Sequence, residues 1–269
     1  MDTFETATAV ARSTGDSFSW DVPDGWQQGR GAWGGLVVGA LLRAVTSSEP
    51  DPGRTVRSVA AQLAAPAMVG RHSVSVRQLR RGSAMTTWSA EAVDARGRLV
   101  ATAVAVLGSP RMLAAQVPFA GWGTAMPPTV PSMDVLARLP MGPPLGPVFG
   151  PHLEFHPASG LPVSGGRAET TGWIRFARPV RHSGESLVAL VDGWWPAALV
   201  ALDEARPMAT VSFSANLLVD PASIAPDAPL LHHGFVSAAA EGFASEQRRL
   251  WTADGRLVVD NLQSIAVIA

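Results

Sequence analysis

Residues 36–45 have scarcely a polar side chain and follow a glycine pair, Gly34 and Gly35. A helix over this run would be apolar on nearly every side, which is typical of a helix inside a core. The run is too short to cross a bilayer, which takes about 20 apolar residues. Three glycines lie in the first half of this helix, Gly34, Gly35 and Gly39. Each weakens a helix interior by about 1 kcal/mol, so together they indicate that something approaches this backbone closely.

Segments that alternate between apolar and polar residues surround this helix. One precedes it at residues 17–22, where Phe18, Trp20 and Val22 share a face. Four more follow it, separated by turn-forming residues, at 55–65, 71–79, 85–93 and 99–107. Their lengths and turns predict an antiparallel meander that packs against the helix.

The second half of the chain repeats this order. A strand at 167–176 and a second apolar helix at 186–202 precede strands at 209–219, 230–240, 242–251 and 257–267. The turn Ala-Arg-Gly-Arg-Leu-Val at 95–100 also recurs as Ala-Asp-Gly-Arg-Leu-Val at 253–258. We therefore predict two repeats, 1–108 and 151–269. A Pro- and Gly-rich connection over 109–150 joins them, with a short helix at 133–139.

Composition narrows the functional classes. The chain is 47% hydrophobic and has a formal net charge of −1, so no overall field attracts nucleic acid or an anionic membrane. The absence of cysteine excludes disulfides and thiolate metal sites. Because the first residues lack the features of a signal peptide, a cytoplasmic protein is expected.

Several motifs, in their order and spacing, resemble the double-hotdog acyl-CoA thioesterases of the acyl-CoA thioesterase II type and their actinobacterial relatives. The motifs are Trp-Gly-Gly-Leu-Val-Val-Gly-Ala-Leu at 33–41, Leu-Arg-Arg-Gly-Ser at 79–83, Ala-Thr-Val-Ser-Phe-Ser at 209–214, and Trp-Thr-Ala-Asp-Gly-Arg-Leu-Val at 251–258. The resemblance implies an α+β tandem double hotdog, in which each repeat wraps an antiparallel sheet around a central apolar helix. It also implies hydrolysis of an acyl-CoA or acyl-carrier-protein thioester without a cofactor, by a homodimer or a higher homo-oligomer.

The resemblance also implies a site in which an Asp, a Thr or Ser, and a Gln orient a water. Along this chain the Gln position falls on Gln263, the hydroxyl position on Ser237 and the Asp position on Ser212. Because serine cannot act as a carboxylate base, a non-hydrolytic protein that binds an acyl or polyketide-like ligand, or a biosynthetic one, is an alternative. A dehydratase or hydratase ranks lower, since neither predicted helix contains the histidine that such enzymes use.

Two residues stand out on chemical grounds alone. Gln263 interrupts an apolar terminal strand, where the first repeat has Ala105. Its amide must find partners, and these are either a water and the thioester carbonyl or a neighbouring strand. Asp192 is the one carboxylate within 186–202. It is the candidate for a replacement base, or else it braces the helix.

Five further residues are candidate substrate contacts. Trp33, Gly34 and Gly35 lie where the first buried helix begins, and its N–H groups suit a developing oxyanion, although the glycines also suit tight packing. Asn216 shares a strand face with Ser212, while Trp194 either lines an acyl channel or fills the core. The adjacent residues His232 and His233 point to opposite faces of a strand and cannot share one metal ion, so no metal site is expected.

Overall fold

The computed structural model describes residues 3–111, 123 and 125–268, so part of the predicted connection, 112–122 and 124, lies outside the described residues. The first half contains α1 (Phe4–Ala7), β1 (Val10–Thr14), β2 (Ser17–Val22), β3 (Gln27–Gln28), β4 (Gly31–Ala32), α2 (Gly34–Ser48), β5 (Thr55–Leu63), β6 (Gly70–Arg81), β7 (Met85–Asp94) and β8 (Leu99–Gly108). The second half contains β9 (Leu153–Ser159), β10 (Glu169–Phe176), α3 (Gly184–Asp192), β11 (Met208–Leu217), β12 (Leu230–Ala240), β13 (Phe243–Trp251) and β14 (Leu257–Val267). Short 3-10 turns cover Met133–Val135, Gly150–His152, Ala197–Ala201 and Pro221–Ser223.

Twelve of the strands form one sheet, in the order β1-β2-β6-β7-β8-β5-β11-β14-β13-β12-β10-β9. The two predicted meanders join where β5 pairs antiparallel with β11. Both long helices pack against the same face of this sheet, called the inner face below, and their apolar residues form one core with it. The predicted order of strands and buried helices is therefore confirmed, with the two sheets fused edge to edge. No helix in the described part of the chain is long and apolar enough to cross a membrane.

The second helix is shorter than the sequence pattern suggested. It ends at Asp192, and the chain continues through Gly193 and Pro196 into the 3-10 turn at Ala197–Ala201. Proline lacks the N–H that a helix interior needs and its ring clashes with the preceding turn. The prediction of one helix over 186–202 was therefore wrong, and the correction places Asp192 at a helix end.

The two helices touch at Gly35 of α2. A Cβ atom built there would lie 2.6 Å from Cζ2 of Trp33 and 2.9 Å from the backbone Cα of Ala189 in α3. A backbone atom cannot move away by changing rotamer. The close approach that the glycine pair indicated is thus an approach of α3.

Gly35→Ala is therefore expected to destabilise the protein. Overpacking a core typically costs about 1–3 kcal/mol, and at this position relief requires the helices to separate. Thermal unfolding should show a lowered Tm. Gly39→Ala in the same helix is the matched control, because its Cβ would meet side-chain atoms alone, with Cζ of Phe4 at 3.0 Å, and no backbone atom. An equal or raised Tm for Gly35→Ala would contradict the close helix contact.

Candidate active site

Gln263 lies on the inner face of β14, where it pairs with Phe213 of β11 and is buried. Its Oε1 accepts a hydrogen bond from Oγ1 of Thr210 at 2.8 Å. Its Nε2 donates to Oδ1 of Asp192 at 3.0 Å and to Oδ1 of Asn261 at 3.1 Å. Both ends of the amide therefore have partners, and these partners define which way it points.

Asp192 reaches this amide from the end of α3 and is 8% exposed. Its carboxylate lies beside the first turn of α2, where the N–H of Gly35 hydrogen-bonds to it. A Cβ at Gly34 would come within 3.0 Å of Oδ2, so this glycine leaves room for the acid. Trp33 donates from Nε1 to the backbone oxygen of Asp192 at 3.2 Å. The positive end of the α2 dipole thus faces the Asp192 carboxylate, in the place where an oxyanion was expected.

Burial raises the pKa of Asp192 above its ordinary value. The positive charge of Arg248 and the hydrogen bonds from Gln263 and Gly35 act in the opposite direction without cancelling the rise. A carboxylate whose pKa is raised toward neutrality is a better proton acceptor than an ordinary aspartate. The environment of Asp192 therefore suits general base chemistry.

Two charged residues of β13, Glu246 and Arg248, complete the buried polar cluster, and the sequence analysis missed them. Nε of Arg248 donates to Oε1 of Glu246 at 2.6 Å, and Nη1 of Arg248 lies 3.6 Å from Oδ1 of Asp192. The spacing of this pair was visible in the sequence. Along β13, buried positions alternate with exposed or half-buried ones, and the buried positions are Ala244, Glu246, Arg248 and Leu250. Opposite charges two residues apart on an otherwise apolar face indicate a buried pair.

A small opening leads to this cluster. Its volume is about 10 Å³, which is close to the space that one water molecule needs. It is lined by Gln28, Asp192, Trp194, Pro196, Met208, Ala209, Thr210, Arg248 and Ile265. A water in this opening would lie beside both a carboxylate and a hydroxyl group.

Ser212 does not belong to this cluster. β11 contains a bulge between Thr210 and Ser212, and Ser212 pairs with Ser264 on the outer face of the sheet. Asn216 follows on that outer face and is exposed. The prediction that Ser212 and Asn216 line the site with Gln263 is therefore corrected, because the bulge turns these side chains away from the helices.

Ser237 also lies away from Gln263. It is exposed on β12, which is separated from β14 by β13, and its Oγ donates to the backbone oxygen of Ser245 at 3.1 Å. The hydroxyl that reaches Gln263 belongs to Thr210, two residues before Ser212 in the motif at 209–214. The structure thus brings together Gln263 and Asp192 of the predicted catalytic residues, and adds Thr210.

The two predicted tryptophans are buried. Trp33 stacks on Phe149 with ring centroids 4.6 Å apart, so its indole braces Asp192 from within the core. Trp194 stacks on His232 at 5.0 Å and lines the small opening. His233 lies on the other side of the strand and hydrogen-bonds to Glu169. The two histidines therefore point to opposite faces, as predicted.

The first half has apolar residues at the corresponding positions. β5 contains a bulge between Val56 and Ser58, as β11 does between Thr210 and Ser212, and β5 pairs with β8 through Val59 and Ala105. By this register, Val56 takes the place of Thr210 and Ala105 that of Gln263. The polar cluster is consequently built around the end of α3 alone.

Family models match most of the chain. A model described as the acyl-CoA thioesterase N-terminal domain covers residues 22–108, and one described as the acyl-CoA thioesterase C-terminal domain covers 127–267. A search among curated proteins found no match.

Solved structures share the fold over nearly the whole chain. A hot dog fold protein of unknown function from Alicyclobacillus acidocaldarius is 24% identical, with a TM-score of 0.88 and coverage of 99% of this chain and 98% of that one. A putative thioesterase II from Thermobifida fusca is 21% identical, with a TM-score of 0.80 and coverage of 99% and 97%. The acyl-CoA thioesterase II TesB2 from Mycobacterium marinum is 17% identical, with a TM-score of 0.76 and coverage of 98% and 96%. The α+β double-hotdog architecture expected from the sequence is confirmed by these likenesses.

Proposed function

The chain belongs to the acyl-CoA thioesterase family. We propose that it hydrolyses an acyl-CoA thioester with Asp192 as the general base. In this proposal Gln263 orients Asp192, and Thr210 positions the water and the thioester carbonyl. One observation carries the assignment. A chain of hydrogen bonds runs from Thr210 through Gln263 to Asp192 and lies beside an opening of about one water molecule.

The reaction follows from these positions. The water attacks the thioester carbon while an oxygen of Asp192 accepts its proton. Negative charge then develops on the carbonyl oxygen, to which the rotatable hydroxyl of Thr210 can donate. When the carbon–sulfur bond breaks, the CoA thiolate takes the proton from Asp192. The free acid and CoA leave, and the carboxylate is restored.

The non-hydrolytic alternative was motivated by a serine in the place of the catalytic acid. Asp192, hydrogen-bonded to Gln263 at 3.0 Å, supplies the carboxylate that Ser212 could not. This arrangement supports hydrolysis over simple ligand binding. Three further points stay predictions: an acyl-carrier-protein thioester as the alternative substrate, a homodimeric or larger assembly, and a cytoplasmic location.

The activity can be measured by incubating the purified protein with acyl-CoAs of different chain lengths and a thiol-reactive dye. Since the chain contains no cysteine, the dye reports released CoA alone. We expect release with at least one acyl-CoA, and Thr210→Val should lower kcat by about 10²-fold.

Thr102→Val is the matched control, because Thr102 pairs with Gln62 on β5 at a half-buried position outside the polar cluster. It should keep the wild-type rate. A folded wild-type protein that releases no CoA from any acyl-CoA would overturn the proposed function. A Thr210→Val variant as active as the wild type would remove Thr210 from the site.

A further inference from the structure

The segment that carries Asp192 from α3 into the next 3-10 turn, residues 192–197, is held from one strand. Nη1 of Arg248 donates to the backbone oxygen of Trp194 at 3.2 Å and lies 3.4 Å from that of Asp192. Oε2 of Glu246 accepts from the backbone N–H of Ala197 at 2.7 Å. Both ends of the 192–197 segment are thus fastened to β13.

The two side chains that hold the segment are also bonded to each other and hidden from solvent. The side chain of Arg248 is 2% exposed and that of Glu246 is 0% exposed. Burying two charges carries a large desolvation cost, and well-packed apolar residues of similar volume are often as stabilising or more so. Stability alone is therefore a weak reason for this pair, and its contacts to the segment that bears Asp192 point to another one.

We propose that Glu246 and Arg248 form a clamp that fixes the 192–197 segment and thereby holds the Asp192 carboxylate against Gln263. Both are positioning residues, because they act through Asp192. The proposal rests on the proposed function for its catalytic part. The grip on the backbone is a separate claim that can be measured without any substrate.

The clamp also determines the charge around Asp192. Arg248 is the positive group that acts on the carboxylate, and Glu246 neutralises it from the far side. His232 of β12 faces Arg248, and burial keeps its pKa well below the ordinary value, so it is neutral. From α2 and β14, Asp192 meets the uncharged Gly35 and Gln263, and the uncharged Thr210 of β11 lines the same opening.

The decisive variant replaces the whole pair, Glu246→Leu with Arg248→Met. An apolar pair of similar volume keeps the core filled. Because the N–H of Ala197 and the backbone oxygens of Asp192 and Trp194 lose these partners, thermal unfolding checks that the variant is still folded. With the clamp removed, hydrogen exchange at the Ala197 amide should become faster. The rate of CoA release should fall by about 10²-fold, mostly in kcat, because a misplacement of about 1 Å can have that effect.

The single variant Glu246→Gln separates positioning from packing. Without the charge of Glu246, Arg248 should attract the Asp192 carboxylate more strongly and so lower its pKa. The acid limb of the pH profile of kcat/KM should therefore move to lower pH. Arg249→Gln is the control, since Arg249 follows on the same strand and pairs with Asp260 at 3.0 Å at a half-exposed position. It should alter neither the limb nor the exchange at Ala197.

Hydrogen exchange tests the clamp, and CoA release tests the positioning role and the proposed function. Unchanged exchange at Ala197 in the double variant would overturn the clamp, whatever the enzyme activity. If the double variant showed faster exchange but released CoA at the wild-type rate, the positioning role would be overturned. The same holds if the pH profile of kcat/KM for Glu246→Gln kept its acid limb at the wild-type pH. A wild-type protein without activity would end the proposed function, while the exchange measurement would still decide whether the backbone is gripped.

Discussion

Asp192→Asn is expected to lower kcat by about 10³-fold, within the range that a general base contributes. Asparagine keeps the shape of the side chain, and its oxygen can still accept the hydrogen bond that Gln263 now donates at 3.0 Å. What it loses is the ability to take a proton from water. The measurement is CoA release under saturating acyl-CoA. Asp260→Asn, a change at a half-exposed position on β14, should keep the wild-type rate.

The same variant has an expected effect on stability. Because burial raises the pKa of Asp192 in the folded protein, the folded state binds a proton more readily than the unfolded state. The ionised carboxylate therefore costs stability at neutral pH, and this cost disappears as the pH falls through the raised pKa toward the ordinary value. Asp192→Asn should be at least as stable as the wild type at pH 7, and this advantage should shrink as the pH is lowered toward the ordinary pKa of aspartate.

Denaturant unfolding at pH 7 and at a series of lower pH values checks this sign. A variant that is clearly less stable at pH 7 would mean that attraction between Asp192 and Arg248 outweighs the cost of burial. A variant that is stable but retains full activity would remove Asp192 from the mechanism. Loss of activity together with retained or raised stability is the signature expected of a residue placed for chemistry at the expense of folding.

The elements that the sequence predicted well are those with strong local patterns. The strand at 257–267 agrees with β14 at both ends, because alternation marks its faces and the positive φ of Gly255 ends the preceding turn. The repeat of this turn at Gly97 revealed the duplication. The second helix was predicted too long, since the apolar run continues past Pro196 although the helix cannot.

The site was predictable only where one residue broke a pattern. Gln263 and Asp192 were visible as polar groups in apolar surroundings, and the structure joins them. Thr210 was missed because a bulge at Val211 exchanges the two faces of β11, and a strict period of two cannot anticipate such a bulge. Glu246 and Arg248 were missed although their two-residue spacing places them on one face of β13, because charged side chains on a strand are more often exposed than buried.

Gln263→Met should lower kcat by about 10²–10³-fold, the usual effect of removing one polar group from the reacting centre. Methionine has a similar volume, so the core around β14 remains filled. The Oγ1 of Thr210 then loses its acceptor and the Asp192 carboxylate its donor. Ser264→Ala on the same strand is the control, because Ser264 lies on the outer face. It should be fully active.

Gln263→Glu tests the contact with Asp192 directly. It preserves the size and polarity of the side chain but replaces the amide that donates to Asp192 with a carboxylate that repels it. Two carboxylates about 3 Å apart cannot both ionise, and they share one proton. The acid limb of the pH–rate profile should then move to higher pH, opposite to the direction expected for Glu246→Gln. If Gln263→Met and Gln263→Glu both retained the wild-type rate and pH profile, Gln263 would be a structural residue and would not orient Asp192. Opposite movements of the acid limb in Gln263→Glu and Glu246→Gln would locate the base at Asp192, the carboxylate that lies beside both Gln263 and Arg248.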